Sequence, residues 1–198
     1  MEQHLTQLLA EMEQHGREYD ARETEHTRKM LNLEPDTARL VHILARSSRA
    51  KRILEIGTSN GYSTIWLALA VTETGGLVTT IDQSAEKQAI ARENLQRAGL
   101  LDSVEMLQAR AGTIVRELVG PYDLVFFDAD RIGAAANLEI LLPKLTPSAL
   151  LLADNVLSHP EEIAGYLGAV KKLEEFEHVV VPVGKGLSVA YRGARPAV

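Results

Sequence analysis

From residue 52 onward the chain alternates short, β-rich apolar runs with longer amphipathic ones, and this alternation admits few architectures. The strand candidates are 52–57 (RILEIG), 77–82 (LVTTID), 104–109 (VEMLQA), 122–128 (YDLVFFD), 149–154 (ALLLAD), 178–183 (HVVVPV) and 187–192 (LSVAYR). Helical patterns fill the intervals between the first six, at about 62–72, 84–98, 111–119, 133–145 and 160–174. Continuous apolar strands separated by helices predict a parallel sheet covered on both faces, because each crossover must lay its helix against the sheet. The expected fold class is therefore a doubly wound, Rossmann-like α/β sheet. Gly184-Lys185-Gly186 is too short for a crossover, so the last two strands are expected to form an antiparallel hairpin. Residues 1–50 read as extra N-terminal helices: Leu5, Leu8, Leu9 and Met12 share one face, and Leu40, Val41, Ile43 and Leu44 follow the turn Glu34-Pro35-Asp36. Those apolar stripes could be core, lid or dimer surface.

With 198 residues and no linker-like stretch, the expectation is one domain over 1–198, with a helical cap at 1–50 and an α/β core at 51–198. A net charge of −6 argues against nucleic acid or an anionic membrane as partner, since both reward a basic face. The absence of cysteine removes disulfide and thiolate-metal chemistry, and no apolar run reaches the roughly 20 residues of a membrane span. The reading is a soluble, cytoplasmic protein.

In doubly wound sheets, ligands bind beyond the carboxyl ends of the strands. Four of the expected strands end in acids: Glu55-Ile56-Gly57, Asp82-Gln83, Asp128-Ala129-Asp130-Arg131 and Asp154-Asn155. Like charges gathered on one edge repel unless a cation or several donors sit among them. Gly57-Thr58-Ser59-Asn60-Gly61 lets the backbone turn tightly beside a ligand, and the helix after it offers free amides. Asp82, 25 residues past Gly57, stands where an acid can accept both ribose hydroxyls of an adenosine. The loop lacks the closer glycine spacing suited to a dinucleotide, and Glu55 would repel a pyrophosphate, so a nicotinamide oxidoreductase is disfavoured. A carboxylate there suits a ligand with a positive end.

Taken together, ILEIGTSNGYST, TIDQS, YDLVFFDADR and LLADNVLS resemble class I S-adenosylmethionine-dependent methyltransferases, and within them the cation-dependent O-methyltransferases typified by catechol and caffeoyl-CoA O-methyltransferases. The resemblance runs from MLNLEPDTARLV to PVGKGLSVAYR. It implies a seven-stranded mixed sheet in the order 3-2-1-4-5-7-6, and a homodimer. It also implies that Leu33, Glu55, Gly57, Thr58, Ser63, Asp82, Ala111, Gly112 and Asp128 bind the cofactor S-adenosyl-L-methionine. Asp128, Asp154 and Asn155 match the family's cation ligands, three hard oxygens of the kind Mg²⁺ accepts. The alternative for Asp154-Asn155 is a capped strand-to-helix turn.

The implied reaction is methyl transfer to a hydroxyl of a small, catechol-type phenol, with Asp128 and Arg131 as catalytic residues. Arg131 stands where the family commonly has lysine, and a guanidinium can stabilise a phenolate but cannot serve as a base. Proton loss would then go to water or to a carboxylate, Asp130 being nearest in sequence. The segment Ile132-Gly133-Ala134-Ala135-Ala136-Asn137 lacks the family's usual tyrosine, which weakens a CoA thioester as acceptor. Two alternatives stand: a metal-independent methyltransferase acting on another acceptor, and a cofactor-binding protein without catalysis. His159 before Pro160 reads as a helix entry, Tyr62 and Trp66 as packing, and Lys185 as a solvated hairpin residue.

Overall fold

The computed structural model describes residues 3–193, so residues 1, 2 and 194–198 of the expected domain lie outside the described residues. In chain order the elements are α1 (Gln3–Arg22), α2 (Pro35–Ser47), β1 (Arg52–Ile56), α3 (Tyr62–Thr72), β2 (Leu77–Asp82), α4 (Ala85–Arg97), β3 (Val104–Gln108), α5 (Ala111–Ile114), β4 (Tyr122–Phe127), α6 (Ala134–Leu141), β5 (Leu145–Ala153), α7 (Pro160–Val170), β6 (Glu177–Val181) and β7 (Leu187–Arg192). The strands form one sheet in the order β3-β2-β1-β4-β5-β7-β6. Pairing is parallel from β3 through β5, then antiparallel at β5–β7 and β6–β7, as the short hairpin requires.

Helices cover both faces and divide the core in two. Leu54, Ile56, Val125 and Phe127 point into one cluster with Leu138, Leu141, Ile163 and Tyr166 of α6 and α7. Ile53, Leu124 and Phe126 point the other way, against Ile65 and Leu67 of α3. This alternation is the period-2 geometry of a strand, with both faces apolar because both are buried. α3 is apolar nearly all round and accordingly lies inside, between the sheet and α2. The apolar stripe of α1 joins the same cluster, so Leu5, Leu8, Leu9 and Met12 are core.

Several element boundaries differ from expectation, α7 ending at Val170 and β5 starting at Leu145 among them, and two of the differences have an identifiable cause. The helix expected over 133–145 stops at Leu141, because Pro143 tightens the next turn into a 3₁₀ helix, and β5 begins at Leu145. A register shift between Tyr122 and Leu124 then accommodates Thr146-Pro147-Ser148 before regular pairing resumes at Leu150. The helix expected over 111–119 ends at Ile114. The carbonyls of Val115, Arg116 and Leu118, which cannot find helical donors beyond Gly120-Pro121, accept instead from Lys144 Nζ at 2.7, 2.9 and 2.7 Å. No described helix is long and apolar enough to cross a membrane.

One ammonium thus shapes the turn that follows α5. Lys144→Met keeps the aliphatic stem and strands three carbonyls, so it is expected to cost about 2 kcal/mol, read as a lower urea midpoint at unchanged slope.

Candidate active site

Each strand end at the carboxyl edge is held one residue beyond its last regular pair. Gly57 N–H donates to the Ile81 carbonyl at 2.9 Å, Ala109 N–H to Asp82 at 3.0 Å, Asp128 N–H to Ile56 at 2.9 Å and Asp154 N–H to Phe127 at 3.0 Å. Of the sequence-predicted residues, Gly57, Asp82, Asp128 and Asp154 therefore stand on one rim, their spacing set by the sheet. Beside them an open groove of about 550 Å³ is lined by Ile56, Gly57, Ile81, Asp82, Gln83, Ala109, Arg110, Ala111, Gly112, Thr113, Ala129 and Asp130. That volume suits a small-molecule ligand. Gly57, at φ +115°, lets β4 pass close: a Cβ on it would lie 2.9 Å from the Ala129 Cβ. No other residue type gives the groove this floor without strain.

Asp82 reaches the groove with its carboxylate fixed by two amides, Ser59 N–H on Oδ2 and Ser84 N–H on Oδ1, both at 2.9 Å. Glu55, Thr58 and Ser63 are buried beneath the glycine loop and do not line the groove. Glu55 accepts hydroxyls from Ser63 at 2.6 Å, Thr64 at 2.5 Å and Thr80 at 2.6 Å. Thr58 Oγ1 shares a 2.8 Å hydrogen bond with Thr80 Oγ1. Burial raises the Glu55 pKa to about 7 against the lowering effect of the three hydroxyls. Leu33 is packed into the core on the segment between α1 and α2.

The second half of the rim is acidic. Asp128 is half-buried and Asp154 is 3% exposed. Burial raises both pKa values; for Asp128 the Asp154 charge is the next cause, and for Asp154 the backbone amide of Asn155 and the charges of Lys185 and Arg131 oppose the rise. Asp154 Oδ1 is buried without a hydrogen-bond partner among the described residues. Asn155, at φ +66°, has its side-chain oxygen engaged, among the described residues, by Ser158 Oγ alone at 3.4 Å. The α7 N-cap is His159, which makes no side-chain cap, so the Asp154 and Asn155 side chains are not consumed in closing that helix.

Among the described residues no three His, Cys, Asp or Glu side chains form a metal-ligand group. Two carboxylates and one amide nonetheless fit a small hard dication. They offer oxygen ligands, one oxygen is stranded, and the mutual repulsion is of the kind a cation relieves.

Arg131 Nε donates to Glu162 at 2.8 Å, and its charge acts on Asp154. Asp130, at φ +52°, folds back to accept the Gly133 amide at 3.1 Å, which secures the entry to α6. Tyr62 and Trp66 are packed, Tyr62 donating to Glu13 at 2.6 Å. Lys185 is exposed, as expected of a solvated hairpin residue, and also forms a 2.8 Å ion pair with Glu34 that the sequence did not announce. Sequence reasoning missed Thr64 and Thr80 as donors to Glu55, and Ser59 as a donor to Asp82. Thr80 pairs directly with Glu55 across β1–β2, a register that no local pattern announces.

A glycine turn after β1, an acid after β2 and this strand order define the Rossmann-like frame of class I methyltransferases. Residues 6–192 match the O-methyltransferase family model, and the chain belongs to that family. A catechol O-methyltransferase from Niastella koreensis is 36% identical over 131 residues, 64% of this chain and 59% of that protein. A catechol O-methyltransferase from Mycobacterium tuberculosis is 40% identical over 116 residues, 58% of this chain and 52% of that protein. The chain thus matches between half and three fifths of the length of these two relatives. The crystal structure of an O-methyltransferase from Bacillus cereus in complex with S-adenosylhomocysteine superposes with a TM-score of 0.78 at 28% identity, covering 94% of this chain and 91% of that one.

The raised Glu55 pKa has a measurable consequence. Between the unfolded value of 4.5 and about 7 the native protein holds a proton that the unfolded chain releases, so this group's contribution to stability is full at low pH and is lost as pH rises through 7. Glu55→Gln removes that dependence. Its unfolding free energy relative to wild type is expected to improve by on the order of 3 kcal/mol from pH 4.5 to 8. Parallel denaturation curves for the two proteins across that range would refute the assignment.

Proposed function

We propose that the protein is an S-adenosylmethionine-dependent O-methyltransferase. Its acceptor would be a small, catechol-type phenol, presented by a divalent cation, most simply Mg²⁺, held by Asp128, Asp154 and Asn155. The observation that carries this reading is the acid pair at the ends of β4 and β5, with Asp154 Oδ1 buried and unpartnered among the described residues, beside a groove floored by Gly57 whose volume suits a nucleoside.

In the groove, Asp82 would grip the ribose. Its two backbone donors orient the carboxylate and leave lone pairs free for two hydroxyls. Ala111 and Gly112 would line the adenine side, where small residues leave room for a flat ring. Glu55 has only neutral hydroxyls as hydrogen-bond partners, so a cationic ligand would supply its missing counter-charge. Gly57, Thr58, Ser63, Leu33 and Asp128 complete the proposed contacts at the methionine end.

When bound, the cation would lower the pKa of the acceptor hydroxyl. The acceptor oxygen would then form the new C–O bond while the electrons of the breaking S–C bond stay on sulfur and the hydroxyl proton leaves to water. Arg131 would stabilise the phenolate by charge. With Asp130 spent on its own turn, no carboxylate base is assigned. Positioning two reactants at roughly 3–3.5 Å supplies several kcal/mol without a covalent intermediate.

Release of S-adenosylhomocysteine in the presence of a catechol panel tests the reading directly. Chelation of divalent ions is expected to abolish turnover while calorimetric binding of S-adenosylhomocysteine persists; full turnover in excess chelator would transfer support to a metal-independent enzyme. Asp82→Ala is expected to weaken cofactor binding at least about tenfold, the scale of two charge-assisted hydrogen bonds. An unchanged dissociation constant would remove Asp82 from the ribose site.

A further inference from the structure

Arg131 is not the sole cationic side chain beside the acid pair. The β6–β7 hairpin brings Lys185 there, and backbone bonds fix it. Leu157 and Ser158 N–H donate to the Lys185 carbonyl at 2.9 and 3.2 Å, and Val156 N–H donates to Gly186 at 3.1 Å. These three donors follow Asp154 and Asn155 in the chain, so the turn carrying Lys185 is stitched to the loop carrying the acids. Gly184, at φ +54°, closes the approach from α2: a Cβ there would lie 2.4 Å from Thr37 Oγ1 and 2.9 Å from Glu34 Oε2. Across this contact Lys185 Nζ sits 2.8 Å from Glu34 Oε1, while Glu34 Oε2 is buried with no hydrogen-bond partner among the described residues.

Four charges therefore share one corner. The Glu34 charge acts to raise, and the Lys185 charge to lower, the pKa of both Asp128 and Asp154. Each member of the ion pair is thus within electrostatic reach of each acid. As a fold-stabilising contact the pair is worth little, since the two side chains are 45% and 29% exposed. Its larger effect is on whatever else is charged nearby.

Resting on the cation reading above, we propose that Lys185 and Glu34 set the affinity of the Asp128–Asp154–Asn155 site for its dication. Lys185 is a tethered counter-charge that weakens binding. Glu34 strengthens it, by its own charge and by holding the ammonium off the acids. Both are positioning residues, acting through the ligands rather than on the substrate. With the pair intact, and Arg131 balanced by its own partner Glu162, two acids and Glu34 against Lys185 leave two net negative charges. Removing the Lys185 charge leaves three. Removing the Glu34 charge leaves one, and frees the ammonium to settle on the stranded Asp154 Oδ1. Two neutralising substitutions therefore push affinity in opposite directions, which general loss of structure does not do.

The test is Mn²⁺ binding at low ionic strength, read from the electron paramagnetic resonance signal of the free ion, with S-adenosylhomocysteine affinity measured alongside as a check on folding. Lys185→Met is expected to bind Mn²⁺ about three- to tenfold more tightly than wild type, and Glu34→Gln about three- to tenfold more weakly, for a full charge acting through partly hydrated protein. The double variant is expected near wild type, and salt is expected to compress all the differences. Unchanged or weaker Mn²⁺ binding by Lys185→Met, with normal S-adenosylhomocysteine affinity and with binding abolished in Asp154→Asn, overturns this inference and leaves the cation site standing. Failure of the wild type to bind Mn²⁺ overturns the cation site and this inference together.

Discussion

The amide of Asp128 donates to the Ile56 carbonyl and the amide of Asp154 donates to the Phe127 carbonyl, so the hydrogen-bond ladder of the sheet runs one step past its strands and ends on the acids. Their backbones cannot move apart to relieve repulsion without breaking that ladder. The strands behind them are buried on both faces, which makes such a break expensive. Burial, together with the Asp154 charge at Asp128 and the Glu34 charge at both, raises their pKa values, and one Asp154 oxygen is left with no hydrogen-bond partner among the described residues. The groove floor depends on the same register, because Gly57 is held against Ala129 of the β4 end by its own bond to Ile81.

Around this edge the chain treats its acids in two ways. Glu55 is enclosed by three hydroxyls that donate to it. Asp128 and Asp154 have fewer donors and are left to surrounding charge, with Arg131 on one side and Lys185 on another. Neither cation is free: Arg131 is tied to Glu162 and Lys185 to Glu34. Each is thereby kept near the acids while held by a carboxylate of its own.

The α/β alternation, the hairpin and the acids at the strand ends were legible because they follow from local signals: apolar runs of strand length, helical spacing between them, and acids placed where those runs end; the strand order came from the family resemblance and not from any local pattern. The early ends of α5 and α6 were not legible. Pro143 gave a local hint, but the three carbonyls gathered by Lys144 belong to a segment 26 to 29 residues earlier in the chain. The environment of Glu55 was equally hidden, since Thr80 faces it only through the β1–β2 register. Lys185 read as a solvated turn residue because Glu34, its partner, lies some 150 positions away and nothing in a local window joins them.

Ser59 connects the two ends of this arrangement. Its amide is spent on Asp82 at 2.9 Å, and its hydroxyl on the Met30 carbonyl at 2.6 Å. Met30 and Leu31 in turn give their amides to Asp20 of α1, and the Lys29 carbonyl accepts from Lys87. The stretch that leads into Glu34 is therefore moored to the loop beside Asp82 through the Ser59 side chain. Peeling that stretch away would also remove the anchor of the loop that orients Asp82, which ties the two halves of the rim to one another.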